Sequence, residues 1–306
     1  MIARRGGYSG LMAGDTLVEQ VLETAAGAAR MAAVGAGDIT RTSRRPDDWL
    51  EAWDPAYIRT TVPALRAMSK LYFRAEVHGL DNIPAEGPVL LVGNHSGGTL
   101  IADTFVFAAE FYEHFGPLRR FHQLAHDLVF KLPGARASLS KWGTVPASPE
   151  NMRRALDRDA ALLVYPGGDH ETYRPSWESD RIDFAGRQGF ARLAIELGVP
   201  IVPVVAIGGQ ETALFLGQGR DLARRLRLDS LMRLKVFPAQ VAPPFGLTIL
   251  DLPGRVPLPA KIVVRALPPI DLAGSPDPDD AYDLVTGKMQ DALDDLAAER
   301  ILPVVG

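Results

Sequence analysis

The chain has 306 residues, of which 47% are hydrophobic and 23% are charged, a balance typical of a globular protein with a sizeable core. It contains no cysteine, which excludes disulfides, thiolate metal sites and a cysteine nucleophile. The formal net charge of −4 disfavours general nucleic-acid binding, so no nucleic-acid partner is expected. The sequence shows no secretory signal and no apolar run long enough to span a bilayer. We therefore expect a cytoplasmic protein that is soluble or lies on a membrane surface.

The first fifty residues are predicted to lie outside the main domain. Residues 15–34 are alanine-rich and favour a helix, whereas residues 35–48 are polar and interrupted by Gly37 and Pro46, as in a linker. The predicted division is an N-terminal helical extension and linker over residues 1–50 and one domain over residues 51–306.

Residues 55–72 give the next helical pattern, in which an apolar stripe is interleaved with basic residues such as Arg59, Arg66 and Lys70. Two interpretations remain open at this point. The segment lies on an anionic lipid surface, or it is an ordinary surface helix whose basic side chains are solvated.

From residue 73 onward, predicted strands alternate with predicted helices. The strands are expected at 73–77, 88–92, 120–124, 160–165, 201–207 and 261–266. The helices are expected at 101–114, 149–157, 187–197, 220–231 and 277–298. Such alternation predicts an α/β fold with a mostly parallel central sheet and helices on both faces.

A histidine follows the predicted strand at 88–92, in the stretch Asn94-His95-Ser96-Gly97-Gly98. Open α/β sheets bind their ligands at the carboxyl ends of strands. Histidine accepts a proton near neutral pH, and the later Asp103 offers a carboxylate that can orient its ring. The stretch therefore suggests a general base, although a loop histidine with only a structural role is the alternative.

A second loop repeats this pattern after the predicted strand at 160–165, in the stretch Pro166-Gly167-Gly168-Asp169-His170-Glu171. If both strands belong to one parallel sheet, both loops leave it at the same edge. His95, Asp103, His170 and Glu171 are then expected to converge.

Other kinds of site are less well supported. His95 and Ser96 are adjacent and point in different directions in an extended segment, and the chain lacks a Gly-x-Ser-x-Gly motif, so a serine-type lipid esterase remains only an alternative. His122 and His126 would share a helix face only if that segment were helical, and no third ligand accompanies them, so no metal is expected.

Four blocks in order resemble the glycerolipid acyltransferase superfamily, which includes lysophosphatidic acid acyltransferases. The resemblance covers roughly residues 72–270. The blocks are residues 93–98 with Asp103, residues 142–148, residues 164–168 with Glu171, and residues 198–204.

The resemblance implies transfer of a fatty acyl group from acyl-CoA or an acyl carrier protein to a lipid hydroxyl, on the membrane surface facing the cytoplasm. It implies His95 as the base, Asp103 and Glu171 as catalytic carboxylates, no covalent acyl-enzyme, and no cofactor besides acyl-CoA as substrate. Backbone N–H groups of Gly97 and Gly98, or of Gly167 and Gly168, are expected to stabilise the oxyanion. The substrate site is expected to contain Ser96, Gly97, Gly98, Pro166, Gly167, Gly168, His170 and Arg174.

Two departures from the family pattern affect this interpretation. The family usually has an aspartate five positions after the histidine, where this chain has Leu100. The third block usually reads Pro-Glu-Gly-Thr-Arg, and its replacement here is closer to the branch resembling type-2 diacylglycerol acyltransferases. We therefore expect a neutral acceptor, with Arg174 as the nearby cation that would reverse this preference. A lipid-binding protein that has lost catalysis remains the non-enzymatic alternative.

Overall fold

The computed structural model describes residues 48–98, 101–127, 129–131, 134–219, 238–249, 251, 255–272, 277–302 and 304. The predicted helix at 15–34, most of the predicted linker and the predicted basic helix at 220–231 lie outside these residues.

Ten strands occur in the described part of the chain. They are β1 (Glu76–His78), β2 (Val89–Gly93), β3 (Phe121–Ala125), β4 (Thr144–Pro146), β5 (Ala161–Val164), β6 (Ile201–Ile207), β7 (Leu214–Gly217), β8 (Ala239–Ala242), β9 (Gly246–Thr248) and β10 (Val263–Ala266). The α-helices described are α1 (Pro55–Tyr72), α2 (Ala102–Phe115), α3 (Ala135–Lys141), α4 (Pro149–Leu156), α5 (Asp169–Thr172), α6 (Gly189–Leu197) and α7 (Pro278–Ala298).

Seven strands form the central sheet, in the order β1-β10-β6-β2-β5-β3-β4. The five adjacent strands β6, β2, β5, β3 and β4 are parallel to one another. Strand β10 is antiparallel to β6 and parallel to β1. The mostly parallel α/β sheet predicted from the sequence is therefore confirmed. A smaller antiparallel sheet, β7-β8-β9, was not predicted.

Helices cover both faces of the central sheet, and the strand side chains alternate between two cores. Ile201 and Val205 of β6 face the core that contains residues of α4, α6 and α7. Val202 and Val204 face the core that contains residues of α1 and α2. Because both faces are buried, Ile201–Ile207 is apolar at every position, as parallel strands usually are.

The apolar stripe of α1 packs into the protein. Ile58, Val62 and Leu65 are buried against the core beside α2. Arg66 forms ion pairs with Glu110 at 3.0 Å and Glu113 at 2.8 Å. Most of the apolar stripe of residues 55–72 is therefore occupied by the core and is not available to enter a lipid surface. In the residues described, no helix combines the length and apolarity needed to cross a membrane.

The carboxyl ends of β2, β5 and β6 meet at one edge of the central sheet. Val92 lies beside Val164 of β5, and Gly93 lies beside Val204 of β6. The loop after β2 and the loop after β5 therefore leave the sheet side by side, as the sequence predicted.

Candidate active site

Asn94 fixes the beginning of the loop that carries His95. Its side-chain Nδ2 donates to the carbonyl oxygen of Ala206 at 2.8 Å, and its Oδ1 accepts from the N–H of Ala206 at 2.8 Å. The amide side chain thus reproduces a strand pairing just beyond the end of β2. This pair of hydrogen bonds holds the histidine loop against the end of β6.

His95 is half-buried at the carboxyl end of β2, and its ring stacks on the ring of Tyr165 with the centroids 4.6 Å apart. Its backbone N–H donates to Glu171 Oε2 at 3.0 Å. The ring Nδ1 is enclosed and has no hydrogen-bond partner among the described residues. Burial, with the nearby positive charge of Arg174, lowers the pKa of His95 to about 4, although Asp169 opposes the shift. The ring is therefore neutral at pH 7 and able to accept a proton.

Asp103 is not hydrogen-bonded to the His95 ring, contrary to the expected pairing. Its Oδ2 accepts from Ser96 Oγ at 2.7 Å, and its Oδ1 accepts from the N–H of Thr104 at 2.8 Å. Asp103 lies in the first turn of α2, within hydrogen-bond distance of Ser96 in the preceding loop. Burial raises the pKa of Asp103 to about 6, although the Ser96 and Thr104 hydrogen bonds oppose the shift. The geometry makes Asp103 a support for the loop.

Glu171 is completely buried and connects three segments. One carboxylate oxygen accepts from the backbone of His95, and the other accepts from Arg174 Nη2 at 2.6 Å and from the N–H of Asp183 at 3.1 Å. Burial raises the pKa of Glu171 to about 7, against the lowering effect of Arg174 and the backbone donors. A side chain at Gly167 would meet this carboxylate, with Cβ 2.2 Å from Glu171 Cγ. Glu171 therefore holds the histidine loop in place through its backbone and makes no hydrogen bond to its ring.

Three of the four glycine N–H groups expected to stabilise an oxyanion are already used within the protein. Gly97 donates to Gln210 Oε1 at 3.0 Å, Gly98 to the carbonyl oxygen of Thr172 at 3.2 Å, and Gly168 to that of Tyr165 at 3.1 Å. The N–H of Gly167 has no such partner in the described part of the chain. These three groups hold the loops in place: Gly98 joins the two loops, Gly97 binds the turn after β6, and Gly168 closes the turn after β5.

Ser96 is buried and donates its hydroxyl to Asp103, away from the histidine ring. Its placement agrees with the sequence argument that adjacent residues of this loop point in different directions. A serine nucleophile would need a histidine within hydrogen-bond reach, and the structure gives Ser96 a carboxylate partner instead.

Arg174 and His170 lie on the far side of Glu171. Besides Glu171, the Arg174 guanidinium donates to the carbonyl oxygen of Glu178 at 3.4 Å, and Arg174 is buried. His170 Nε2 lies 2.9 Å from Asp183 Oδ2, so the histidine–carboxylate pair of this region belongs to His170 and not to His95. A cavity of about 360 Å³ opens here. Its lining residues are His170, Arg174, Pro175, Glu178, Arg181, Asp183 and Gln218.

Sequence reasoning missed two residues that organise the site. Tyr165 supplies the ring beneath His95, and Gln210 bridges the two loops by accepting from Gly97 and donating to the carbonyl oxygen of Arg174 at 2.5 Å. The glycine at position 93 was the feature of the sequence that indicated a close neighbour at this point, because a Cβ there would lie 2.6 Å from Tyr165 Cε1. Nothing in the sequence around Gln210 marks its role. Pro166 contributes only a carbonyl oxygen, which accepts from Arg187 at 3.2 Å.

The histidines considered as metal ligands do not share a helix face. His122 is buried on β3, and its Nδ1 donates to the carbonyl oxygen of Gly143 at 3.0 Å. Within the described ranges, no group of three histidine or carboxylate side chains is placed to hold a metal ion.

The segment that contains both loops is similar to a known protein family. Residues 74–207 match the model of the acyltransferase family, described as "Acyltransferase". Over this segment, the chain is similar to the acyltransferase family. The matched segment begins just before β1 and ends with β6, so it includes His95, Asp103 and Glu171.

The chain is also similar to curated proteins from bacteria and vertebrates. An uncharacterized protein of Mycobacterium tuberculosis is 32% identical over 242 residues, which are 78% of this chain and 64% of the relative. A Bos taurus protein named "DGAT1/2-independent enzyme synthesizing storage lipids" is 33% identical over 169 residues, 55% of this chain and 48% of the relative. The chain thus spans about half to two thirds of the length of these relatives.

The crystal structure of the 1-acyl-sn-glycerophosphate (LPA) acyltransferase, PlsC, from Thermotoga maritima has the same fold. The TM-score is 0.53 with 16% sequence identity, and the match covers 93% of this chain and 99% of that one. This likeness concerns the fold.

Proposed function

We propose that the acyltransferase domain moves a fatty acyl group from acyl-CoA to a lipid hydroxyl, with His95 as the general base. The observation that carries the proposal is His95 itself: a neutral histidine at the carboxyl end of β2, inside the segment that matches the acyltransferase family. A neutral ring is what a base needs at pH 7. Because Nδ1 is enclosed, Nε2 is the ring nitrogen that would face the acceptor.

The reaction would proceed by direct transfer. His95 Nε2 takes the hydroxyl proton as the acceptor oxygen attacks the thioester carbonyl carbon, which forms the new C–O bond. The tetrahedral oxyanion then collapses, the C–S bond breaks, and the coenzyme A thiolate leaves and takes the proton from the imidazolium. The N–H of Gly167 is the donor we assign to the oxyanion, since the other glycine donors are occupied.

A neutral acceptor is supported by the charges around the second loop. Asp169 is paired with Arg187 at 2.7 Å, and the Arg174 guanidinium is held by Glu171 and Glu178. A phosphorylated acceptor needs an available cation, and the two guanidinium groups are already engaged. The name of the bovine relative, which refers to storage lipids, points to the same class of acceptor.

The donor is proposed as acyl-CoA, with an acyl carrier protein as the alternative. Two arginines between the first two sequence blocks, where a basic region could meet coenzyme A phosphates, have structural partners. Arg119 donates to the carbonyl oxygens of Pro84, Gly87 and Asp159, and Arg120 lies over the Trp53 ring at 5.7 Å. These residues do not favour one donor over the other.

The test is an assay of purified protein with radiolabelled long-chain acyl-CoA, or acyl carrier protein, and a panel of neutral and phosphorylated acceptors. His95→Ala should reduce transfer roughly 10²–10⁴-fold, the usual effect of losing a general base. Ser96→Ala is the control, with a much smaller reduction. Trapping of an acyl-serine would favour the esterase instead. Lipid binding without turnover would favour the non-catalytic alternative. The lack of a hydrogen-bond acceptor at His95 Nδ1, which leaves the ring without an orienting group, is the observation that favours this alternative.

A further inference from the structure

The small sheet β7-β8-β9 presents an apolar surface to solvent. Leu214 of β7 lies beside Val241 of β8, which lies beside Leu247 of β9, so their side chains share one face. Leu214 is 45% exposed and Leu247 is 66% exposed. We call this surface the outer face, and it consists of Leu214, Leu216, Val241, Leu247 and Ile249. Large exposed apolar patches are typical of surfaces that bind a protein or a membrane.

The opposite face of the same sheet packs beside the histidine loop. Phe215 and Gln240 are buried there. A Cβ at Gly98 would lie 3.0 Å from the Phe215 ring, so this face touches the loop that begins with His95. Only the thickness of one sheet therefore separates the outer face from the candidate active site.

The sequence that joins β7 to β8 is strongly basic, although the whole chain carries a net charge of −4. Residues 218–238 contain six basic residues and only two acidic ones. The segment is joined to the small sheet at both ends, to β7 before it and to β8 after it. Anionic lipids attract basic segments next to apolar surfaces.

We propose that the outer face is the surface by which the domain binds an anionic lipid bilayer. This inference rests on the proposed function for its purpose, because a lipid acceptor must reach His95 from a membrane. It moves the lipid contact from α1, whose apolar stripe is buried, to the small sheet. A cavity of about 550 Å³ adjoins the outer face, and Trp177, Leu214 and Leu258 lie on its wall.

The test compares vesicle binding of the full chain and two double variants. Flotation would use vesicles of phosphatidylcholine alone and of phosphatidylcholine with phosphatidylglycerol. Leu214→Ser with Leu247→Ser should weaken binding to the mixed vesicles by about tenfold or more, since two apolar side chains no longer enter the interface. The matched control is Leu118→Ser with Leu284→Ser, which changes two leucines that are 73% and 43% exposed elsewhere. This control should bind like the wild type.

The outcomes separate this inference from the proposed reaction. His95→Ala should float with vesicles as the wild type does, and absence of turnover with intact flotation would refute only the acyltransferase activity. Flotation of the outer-face variant equal to the wild type would overturn the inference, as would failure of the wild type to bind mixed vesicles. A dimer that dissociates in the outer-face variant, without vesicle binding, would show that a second copy covers the face. Circular dichroism of both double variants checks that they are folded.

Discussion

The ring of Tyr165 lies under the ring of His95, with the centroids 4.6 Å apart and the planes inclined by 16°. The Tyr165 hydroxyl is hydrogen-bonded to Thr104 Oγ1 at 2.5 Å, which anchors the tyrosine to the first turn of α2. Gly93 leaves the space that the tyrosine ring occupies. The histidine ring is thus positioned by stacking where a carboxylate was expected.

Tyr165 is therefore predicted to be a positioning residue. Tyr165→Leu should lower kcat by roughly 10²-fold with little change in KM, because a small displacement of a reacting group is costly. Tyr165→Phe keeps the stacked ring and loses only the bond to Thr104, so it should retain kcat within a few fold. Steady-state kinetics of both variants decide the matter. Equal kcat values for the leucine and phenylalanine variants would mean that stacking has no role.

Gly167→Ala should displace the Glu171 carboxylate, since the new Cβ would lie 2.2 Å from Glu171 Cγ. We expect a loss of about 1–3 kcal/mol in the free energy of unfolding, as for other overpacked sites, together with reduced transfer. Gly189→Ala is the control, because a Cβ at this helical position meets nothing within 4 Å. Urea unfolding and the acyl-transfer assay measure both effects. Equal stability of the two variants would contradict the close approach at Gly167.

The depressed pKa of His95 predicts an enzyme that tolerates mild acid. A folded-state pKa of about 4 keeps the ring neutral well below pH 6.5, where an ordinary histidine is half protonated. The acid limb of kcat/KM that reports His95 should therefore lie near pH 4. The profile should be recorded for the wild type and for Asp103→Asn, so that titration of Asp103 is not mistaken for that of His95. A limb near pH 6.5 in both proteins would show that the histidine is not desolvated.

Asp103 should make the protein less stable as the pH rises. Its folded-state pKa of about 6 exceeds the ordinary value of 3.8, so the folded protein prefers the protonated form. The stabilisation by the protonated carboxyl is complete below pH 3.8 and is lost as the pH rises through about 6. The free energy of unfolding should fall by about 3 kcal/mol over this range and then stay constant. Asp103→Asn cannot ionise, so its stability relative to the wild type should increase between pH 4.5 and pH 7.

Chemical unfolding at the two pH values measures this difference. Asp291→Asn is the control, because it removes a carboxylate from an exposed position of α7. A relative stability of Asp103→Asn that does not change with pH would mean that Asp103 ionises as readily in the folded protein as in the unfolded chain.

The sequence was sufficient to predict the features that depend on local pattern. The apolar run Ile201–Ile207 indicated a strand buried on both faces, and the glycine pairs indicated loops at one edge. The partner of Asp103 was not predictable, because it depends on how a loop with positive φ at Gly97 and Gly98 turns its side chains. The link from Gln210 to Gly97 joins residues far apart in the chain, and only the folded structure brings them together.

The small sheet escaped prediction for a different reason. Its strands have only three or four residues, and such short alternations do not stand out from loop sequence. The outer face is therefore visible only after folding, when Leu214, Val241 and Leu247 come into register.

The insertion of β10 between β1 and β6 has a consequence for biosynthesis. The nascent chain releases β1 near the start of the domain and β10 only near its end, yet β10 hydrogen-bonds to both β1 and β6. Until β10 leaves the ribosome, β1 and the corresponding edge of β6 present unpaired backbone groups, which invite aggregation. A chain terminated before Val263 would therefore be expected to aggregate rather than form a smaller working enzyme, and chaperones would matter most during the last stage of translation.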